Sequence, residues 1–150
     1  MERIRLLQDF TDAELRALRS YCTEGTMPPG GVFFRRGEPA DTGYILTSGT
    51  VRVTTSPAQG VQELLYQLGP GEGLGMLSLL DGGKRAFDAV AETEVSYLAI
   101  SRERLEALLA SPEPFVRKFL INMIRCLGGK FRETKAQYET VMALVHFRLS

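Results

Sequence analysis

The chain is poor in the residues that metal sites, disulfide frameworks and nucleophilic active sites require. It has no tryptophan, one histidine (His146) and two cysteines, Cys22 and Cys126. A zinc site with Cys or His ligands and an iron–sulfur cluster both need more ligands than these residues supply. A Ser-His-Asp arrangement would have to use His146, and no nucleophile motif accompanies it. The composition therefore predicts a protein that is not an enzyme and holds no metal.

Net charge and long apolar runs are also lacking. The 150 residues carry 18 basic and 18 acidic side chains, and 44% of them are apolar. A balanced charge argues against broad contact with nucleic acid, which calls for a local surplus of Lys and Arg. No window approaches the ~18 consecutive apolar residues of a membrane span, and no apolar signal core follows the start. We therefore expect a single cytoplasmic domain, residues 1–150, with reduced thiols and no membrane contact.

The first two zones of the chain differ in texture. Residues 1–24 predict a helical lead-in, because Thr11 and Glu14 form a capping box ahead of apolar residues at helical spacing. Residues 25–100 place Gly and Pro between short runs rich in β-branched and aromatic residues, which predicts an antiparallel sandwich or barrel. Gly49, between two of these runs, predicts a hairpin turn. The runs are 32–34, 44–47, 51–55, 61–68, 87–91 and 95–100.

The third zone, residues 101–150, is predicted to be helical. Ser101 can cap a first helix, and Ser111 can cap a second with Pro112 at its first position. Gly128-Gly129 leaves open whether the second is one long, weakened helix or two helices hinged there. One helix of roughly 30 residues would reach about 45 Å, which is longer than a domain of this size can cover.

An apolar stripe runs along this predicted helix. A stripe that extends beyond its own domain usually packs on another copy, so we expect a homodimer. The alternative is two helices that fold back on the rest of the domain. The residues expected at the dimer seam are Phe119, Met123, Leu127, Phe131 and Tyr138.

The glycine spacing of residues 31–53 carries a family resemblance. The series begins with Gly31, an apolar pair (Phe33-Phe34) and a Gly followed by an acid (Gly37-Glu38). It continues with a strand that begins with Tyr44 and with Gly49 before the next strand. This series resembles the cyclic nucleotide-binding domain of catabolite activator protein and other Crp/Fnr regulators, and the likeness covers about residues 6 to 135. It implies a mainly β fold with flanking helices: an antiparallel β-roll or jelly roll, a short N-terminal helix and a long C-terminal helix that transmits a ligand signal.

The resemblance also implies a phosphate-binding cassette. Such a cassette offers a cyclic phosphate the amides of a short helix and a buried cation. Arg85 lies ten residues after Gly75, which is the family's spacing for the arginine that binds the phosphate. The ligand positions implied by the resemblance are Gly75, Met76, Leu77, Ser78, Arg85 and Ala86.

Several departures from the family cassette predict an altered pocket. Met76 stands where the family has a Glu that accepts a hydrogen bond from the ribose 2′-hydroxyl, and its loss costs about 1–3 kcal/mol. Phe87 stands where a small Ala is usual, and Ala86 replaces the Ser or Thr that selects the purine. Asp88 would repel an anion if it pointed inward. As an alternative, Gly71-Glu72 could be the family's Gly-Glu pair, with a longer loop to the arginine.

The sequence therefore predicts a non-enzymatic regulatory sensor module whose cassette binds cyclic AMP or cyclic GMP weakly or not at all, or takes another small anionic ligand. No other cofactor is expected. The alternative is a degenerate domain that serves as a dimerisation or protein-interaction scaffold. The family's transcription factors add a helix-turn-helix after the long helix, and we do not expect one within these 150 residues. The basic stretch from Arg117 to Lys135 is typical of a solvated helix face, so direct DNA binding is not expected.

Overall fold

Two four-stranded antiparallel sheets with flanking helices form the fold of the computed structural model. It describes residues 5–149, without the side chains of 57, 58, 134, 137, 138, 141 and 144–149. The elements are α1 (Asp12–Arg19), β1 (Thr23–Met27), β2 (Val32–Phe34), β3 (Thr42–Ser48), β4 (Val51–Ala58), β5 (Val61–Leu68), β6 (Gly73–Leu74), α2 (Met76–Asp81), β7 (Asp88–Ala91), β8 (Val95–Ser101), α3 (Arg102–Leu109) and α4 (Phe115–Leu149). The predicted β-roll with a short N-terminal helix and a long C-terminal helix is confirmed.

The strands divide into two sheets, which makes the roll. One sheet has the order β1-β8-β3-β6 and the other β2-β7-β4-β5. The hairpin predicted at Gly49 is wrong, because β3 and β4 belong to different sheets and do not pair. Gly49 does have a positive φ of 84°, and its backbone turns the chain from one sheet into the other. The paired hairpin lies instead between β4 and β5.

Two apolar clusters occupy the two faces of the first sheet. Along β3, Ile45 belongs to the cluster that also takes in residues from the helices, whereas Leu46 belongs to the cluster between the sheets. The period of two along a strand explains this division. We call the first cluster the helix-side core and the second the roll core. The β3 sheet is therefore the middle layer of the molecule, between the helices and the second sheet.

Side chains cap the helices as expected, with one exception. Thr11 and Glu14 form the predicted capping box of α1, and the Ser101 side chain accepts from the Arg104 amide at the start of α3. The predicted start of α4 at Pro112 is wrong, because the helix begins at Phe115. Pro114 explains the delay, since a proline disfavours helical backbone in the residue before it. Ser111 still accepts a hydrogen bond from the Glu113 amide.

The helix α4 is continuous over 35 residues and runs through Gly128-Gly129 without a break. The question of one helix or two is thus answered in favour of one. Phe119 is fully buried in the helix-side core, and Met123 packs partly buried against the same cluster. Phe119 therefore does not belong to a surface seam, contrary to the prediction. Leu127 and Phe131 are exposed, and the Tyr138 side chain lies outside the described residues.

No helix in the described part of the chain combines the length and the apolar character that crossing a membrane requires.

Candidate functional site

Arg85 is the centre of the candidate site. It is 4% exposed, and its guanidinium contacts three parts of the roll. Nη1 donates to the Gly75 carbonyl at 2.9 Å, and Nη2 donates to the Thr42 carbonyl. The guanidinium carbon lies 4.1 Å from the centroid of the Phe34 ring, which is a cation–π contact. The arginine that the sequence singled out thus links the start of α2 to β2 and β3.

Burial dominates the electrostatics of this arginine. Burial lowers the pKa of Arg85, while Tyr44, Asp41 and Glu38 raise it. The hydrogen bonds from its terminal nitrogens go to main-chain carbonyls, and Nε is buried with no hydrogen-bond partner among the described residues. A buried cation with neutral partners is costly to hold, so an anion that reached it would be attracted.

Gly75 allows the close approach of α2 to this arginine. Its φ is 72°, in the left-handed region that glycine adopts without strain. A Cβ at this position would lie 2.4 Å from Arg85 Nη1 and 3.0 Å from the Phe34 ring. The structure therefore brings Gly75 and Arg85 together, as the resemblance implied.

The other cassette positions differ in burial. Met76 is 6% exposed and belongs to the helix-side core, on the far side of the middle sheet from the roll core. Leu77 and Ala86 are exposed, and Ser78 is half-buried. Of the predicted ligand positions, Gly75 is the one whose carbonyl accepts a hydrogen bond from the Arg85 guanidinium.

Aromatic side chains fill the roll around the site. Phe33, Tyr44 and Tyr97 form mutual edge-to-face contacts with centroids 5.0 to 5.5 Å apart. Phe87 packs partly buried against the same roll core. It lies in a bend before β7, so the strand that was predicted to begin there starts one residue later.

The Asp88 carboxylate accepts a main-chain hydrogen bond in this structure. Its Oδ1 accepts a hydrogen bond from the Arg36 amide at 2.8 Å, in an exposed position. The carboxylates whose charge acts on Arg85 are Asp41 and Glu38. The expectation that Asp88 repels an anion at the site is therefore not supported.

The alternative reading of Gly71-Glu72 as the cassette pair is wrong. Glu72 is buried, and its Oε2 accepts from the Gly69 amide at 3.1 Å, which closes the turn after β5. Its charge helps to raise the pKa of the Cys126 thiol, after the larger effect of burial. Glu72 thus faces α4 and not the guanidinium.

Sequence reasoning missed Phe34, Thr42 and Tyr44 as parts of the site. Phe34 was visible as half of an aromatic pair, and the alternation of a strand would have turned one ring of that pair toward the arginine. No sequence signal marked the Thr42 carbonyl, because main-chain acceptors carry no residue identity.

Other sites are not evident in the described residues. They include no group of three or more His, Cys, Asp or Glu side chains that could hold a metal ion. Two open surface clefts, of about 380 and 390 Å³, are lined by other residues than Arg85.

Comparisons with known proteins identify the family. The family model of the cyclic nucleotide-binding domain matches residues 24–111. The CRP-like cAMP-activated global transcriptional regulator of Mycobacterium tuberculosis is 29% identical over 134 residues, which are 89% of this chain and 58% of that protein. The cyclic AMP receptor protein of Thermus thermophilus is 35% identical over 104 residues, which are 69% of this chain and 48% of that protein.

The fold is shared as well. The crystal structure of Thermus thermophilus catabolite activator protein superposes with a TM-score of 0.78 at 29% identity, covering 91% of this chain and 62% of that one. The chain thus matches 58% and 48% of the length of the two relatives above. With the family model matched over more than half of its residues and the β-roll in place, the chain belongs to the cyclic nucleotide-binding domain family of the Crp/Fnr type.

Proposed function

We propose that this chain is a non-enzymatic regulatory module of the cyclic nucleotide-binding type whose cassette binds cyclic AMP and cyclic GMP weakly, and whose signal leaves through α4. The observation that carries the proposal is the state of Arg85. Its guanidinium is buried under the Phe34 ring and donates to the carbonyls of Gly75 and Thr42. A phosphate would have to displace these contacts before it could bind.

The second support is the absence of a ribose acceptor at position 76. Met76 is an apolar side chain in the helix-side core, so a 2′-hydroxyl brought to the cassette finds no strong acceptor there. A hydroxyl buried without its partner costs about 1–3 kcal/mol, which is about 5- to 150-fold in affinity.

The packing of the cassette helix against α4 supports signalling through α4. Met76 and Leu79 of α2 lie in the same cluster as Phe115 and Phe119 of α4. A ligand that draws the Gly75 segment toward it would shift α2, and α2 would repack against α4. The mechanism is a population shift between two packings of α2, each with its own position of α4.

Melting curves with and without nucleotide test the proposal. We expect cyclic AMP and cyclic GMP to raise Tm only at millimolar concentration, and we expect Arg85→Gln to abolish that rise. A dissociation constant in the micromolar range, measured by calorimetry, would contradict the weak cassette. Leu80→Gln is the matched control, because this side chain of α2 is exposed and position 80 is not among the predicted ligand positions.

A scaffold without any small ligand is the second candidate function. The observation in its favour is the packing of Phe87 with the other aromatic side chains of the roll core. If the wild type has the same Tm with and without about 10 mM cyclic nucleotide or inorganic phosphate, the result would favour the scaffold. A rise that depends on Arg85 would favour the sensor.

A further inference from the structure

Gly43 provides the space that the Met76 side chain occupies. A Cβ built on Gly43 in β3 would lie 2.3 Å from Met76 Sδ, whereas one built on Gly73 in β6 would lie 3.1 Å from Leu6 Cδ2 and 3.4 Å, an ordinary contact distance, from Met76 Cγ. Gly43 does not have a positive φ, so the backbone does not require glycine there. The methionine side chain is what excludes a larger residue at this position. We call Gly43 the methionine seat.

The contact with Met76 explains why a glycine, which is unfavourable inside a strand, lies within β3 at position 43. Glycine in a strand interior loses packing and gains entropy in the unfolded chain, and it often marks a close approach of another group. Gly43 is buried, and it shares a strand face with Ile45 of the helix-side core. Of these two buried positions on β3, only Ile45 has a side chain that fills the core. Met76 supplies the missing volume from α2.

We propose that Gly43 and Met76 form a coupled pair that determines the ligand specificity of the cassette. Because the gap at Gly43 holds the side chain of position 76 in the helix-side core, that position offers no group to a ligand at Arg85. The pair therefore selects for an anion that binds the guanidinium without a hydroxyl donor directed at position 76. This inference rests on the proposed function for the identity of the site, but the coupling of the two side chains depends on no ligand.

The pair explains why replacing Met76 by Glu alone would not provide an acceptor for a ribose hydroxyl. Glu in place of Met76 would put a carboxylate among apolar groups such as Leu79, and burying an unpaired charge is strongly unfavourable. A larger apolar residue at Gly43 would fill the gap and exclude the side chain of position 76 from the core. Only the two changes together would turn position 76 toward a ligand.

A double-mutant cycle in Tm tests the coupling. Gly43→Ala is expected to lower Tm in the wild type, because the new methyl group overlaps with Met76 Sδ. The same change is expected to raise Tm in Met76→Ala, where it fills space that the truncation leaves. The coupling should reach about tenfold in the unfolding equilibrium constant.

Gly69→Ala is the matched control for this cycle. A Cβ at Gly69 has nothing within 4 Å, and its effect should be the same in the wild type and in Met76→Ala. Additive effects of Gly43→Ala and Met76→Ala would overturn the proposal.

Calorimetry with cyclic AMP and its 2′-deoxy analogue tests the specificity. The double variant Gly43→Leu/Met76→Glu is expected to prefer cyclic AMP over the 2′-deoxy analogue by about tenfold or more, while the wild type does not discriminate. Equal discrimination by Met76→Glu alone would overturn the pairing. Micromolar binding of cyclic AMP by the wild type would instead contradict the proposed weak cassette, and the Tm cycle would still report the coupling.

Discussion

Lys118 joins three parts of the molecule through one ammonium group. Its Nζ donates to the Asp9 carbonyl at 2.8 Å and to Glu14 Oε1 at 2.7 Å, and it lies 5.7 Å from the centroid of the Phe10 ring. The hydrogen bond from Lys118 is the main reason why the pKa of Glu14 is lowered. The ion pair therefore holds α1 against α4 with a strength that depends on pH.

Stability should accordingly fall in acid partly through Glu14. A carboxyl with a lowered folded pKa stabilises above its unfolded pKa of about 4.3, and this contribution is lost as pH falls through the folded value. Glu14→Gln retains a side-chain acceptor for the capping box but removes the charge. We expect the variant to have a lower Tm than the wild type at pH 7 and the same Tm at about pH 2.

Glu24→Gln is the control for this measurement. Glu24 pairs with Arg19 at 3.6 Å, and both side chains are largely exposed. Such surface pairs contribute little, so this variant should follow the wild type at both pH values. A Tm difference for Glu14→Gln that is equal at both pH values would contradict the role of the charge.

Two residues show which parts of the candidate site could be predicted from the sequence. Arg85 could be singled out because an arginine ten residues after a glycine is a local pattern, and the structure places the two together. The direction of Met76 could not be predicted, because it depends on the gap at Gly43, which lies 33 positions earlier in the chain. Spacing along the chain records residue types, whereas this gap exists only once β3 and α2 pack.

At the scale of elements, strands with strong local sequence signals were predicted correctly, whereas those with weak signals were missed. The run 61–68 coincides with β5, and 32–34 coincides with β2. β1 was missed because its sequence, TEGTM, is polar and contains a glycine, and β6 has only two residues. The pairing of both with the middle sheet is long-range, and residue preferences within the strands do not encode it. Gly128-Gly129 left helix continuity open because propensity alone is a weak guide.

The continuous α4 predicts that both of these glycines are suboptimal. A Cβ at Gly128 or Gly129 meets nothing within 4 Å, and neither has a positive φ. Ala at each position should stabilise the helix by up to about 1 kcal/mol, or raise Tm by about 3 °C. Thermal melts followed by far-UV circular dichroism measure both helicity and Tm.

Gly82→Ala provides the contrast for that pair. A Cβ at Gly82 also has open space around it, but its φ of 72° is strained for alanine. This variant should melt lower by a comparable amount. If alanine at 128 or 129 also lowers Tm, α4 is not a regular helix there.

At the scale of the whole molecule, the apolar surface of α4 favours a dimer. Leu120, Ile124, Leu127 and Phe131 are exposed, and Ile124 and Phe131 reach 69% and 68%. Their spacing of four, three and four residues places them within about 60° of one another around the helix. Such a stripe is typical of a coiled-coil seam, and we propose it in place of the predicted stripe that included Phe119.

Light scattering on the intact chain measures the association. We expect a mass close to twice that of one chain at high concentration, and we expect Ile124→Glu to shift the protein to the monomer. Arg125→Glu, on another face of the same helix, should leave the dimer intact. A wild type that is monomeric at every concentration would contradict the seam.

The Asn122 side chain gives the order of assembly a physical basis. Its Nδ2 donates to the Leu6 carbonyl at 3.1 Å and to the Gln8 carbonyl at 2.8 Å, and the Leu6 amide donates to the Gly71 carbonyl. The Leu6–Asn122 contact spans 116 positions, so its loop-closure entropy must be met by contacts that form earlier. The segment around Leu6 and Gln8 is therefore expected to dock last, once the roll and α4 have formed the surface that receives it.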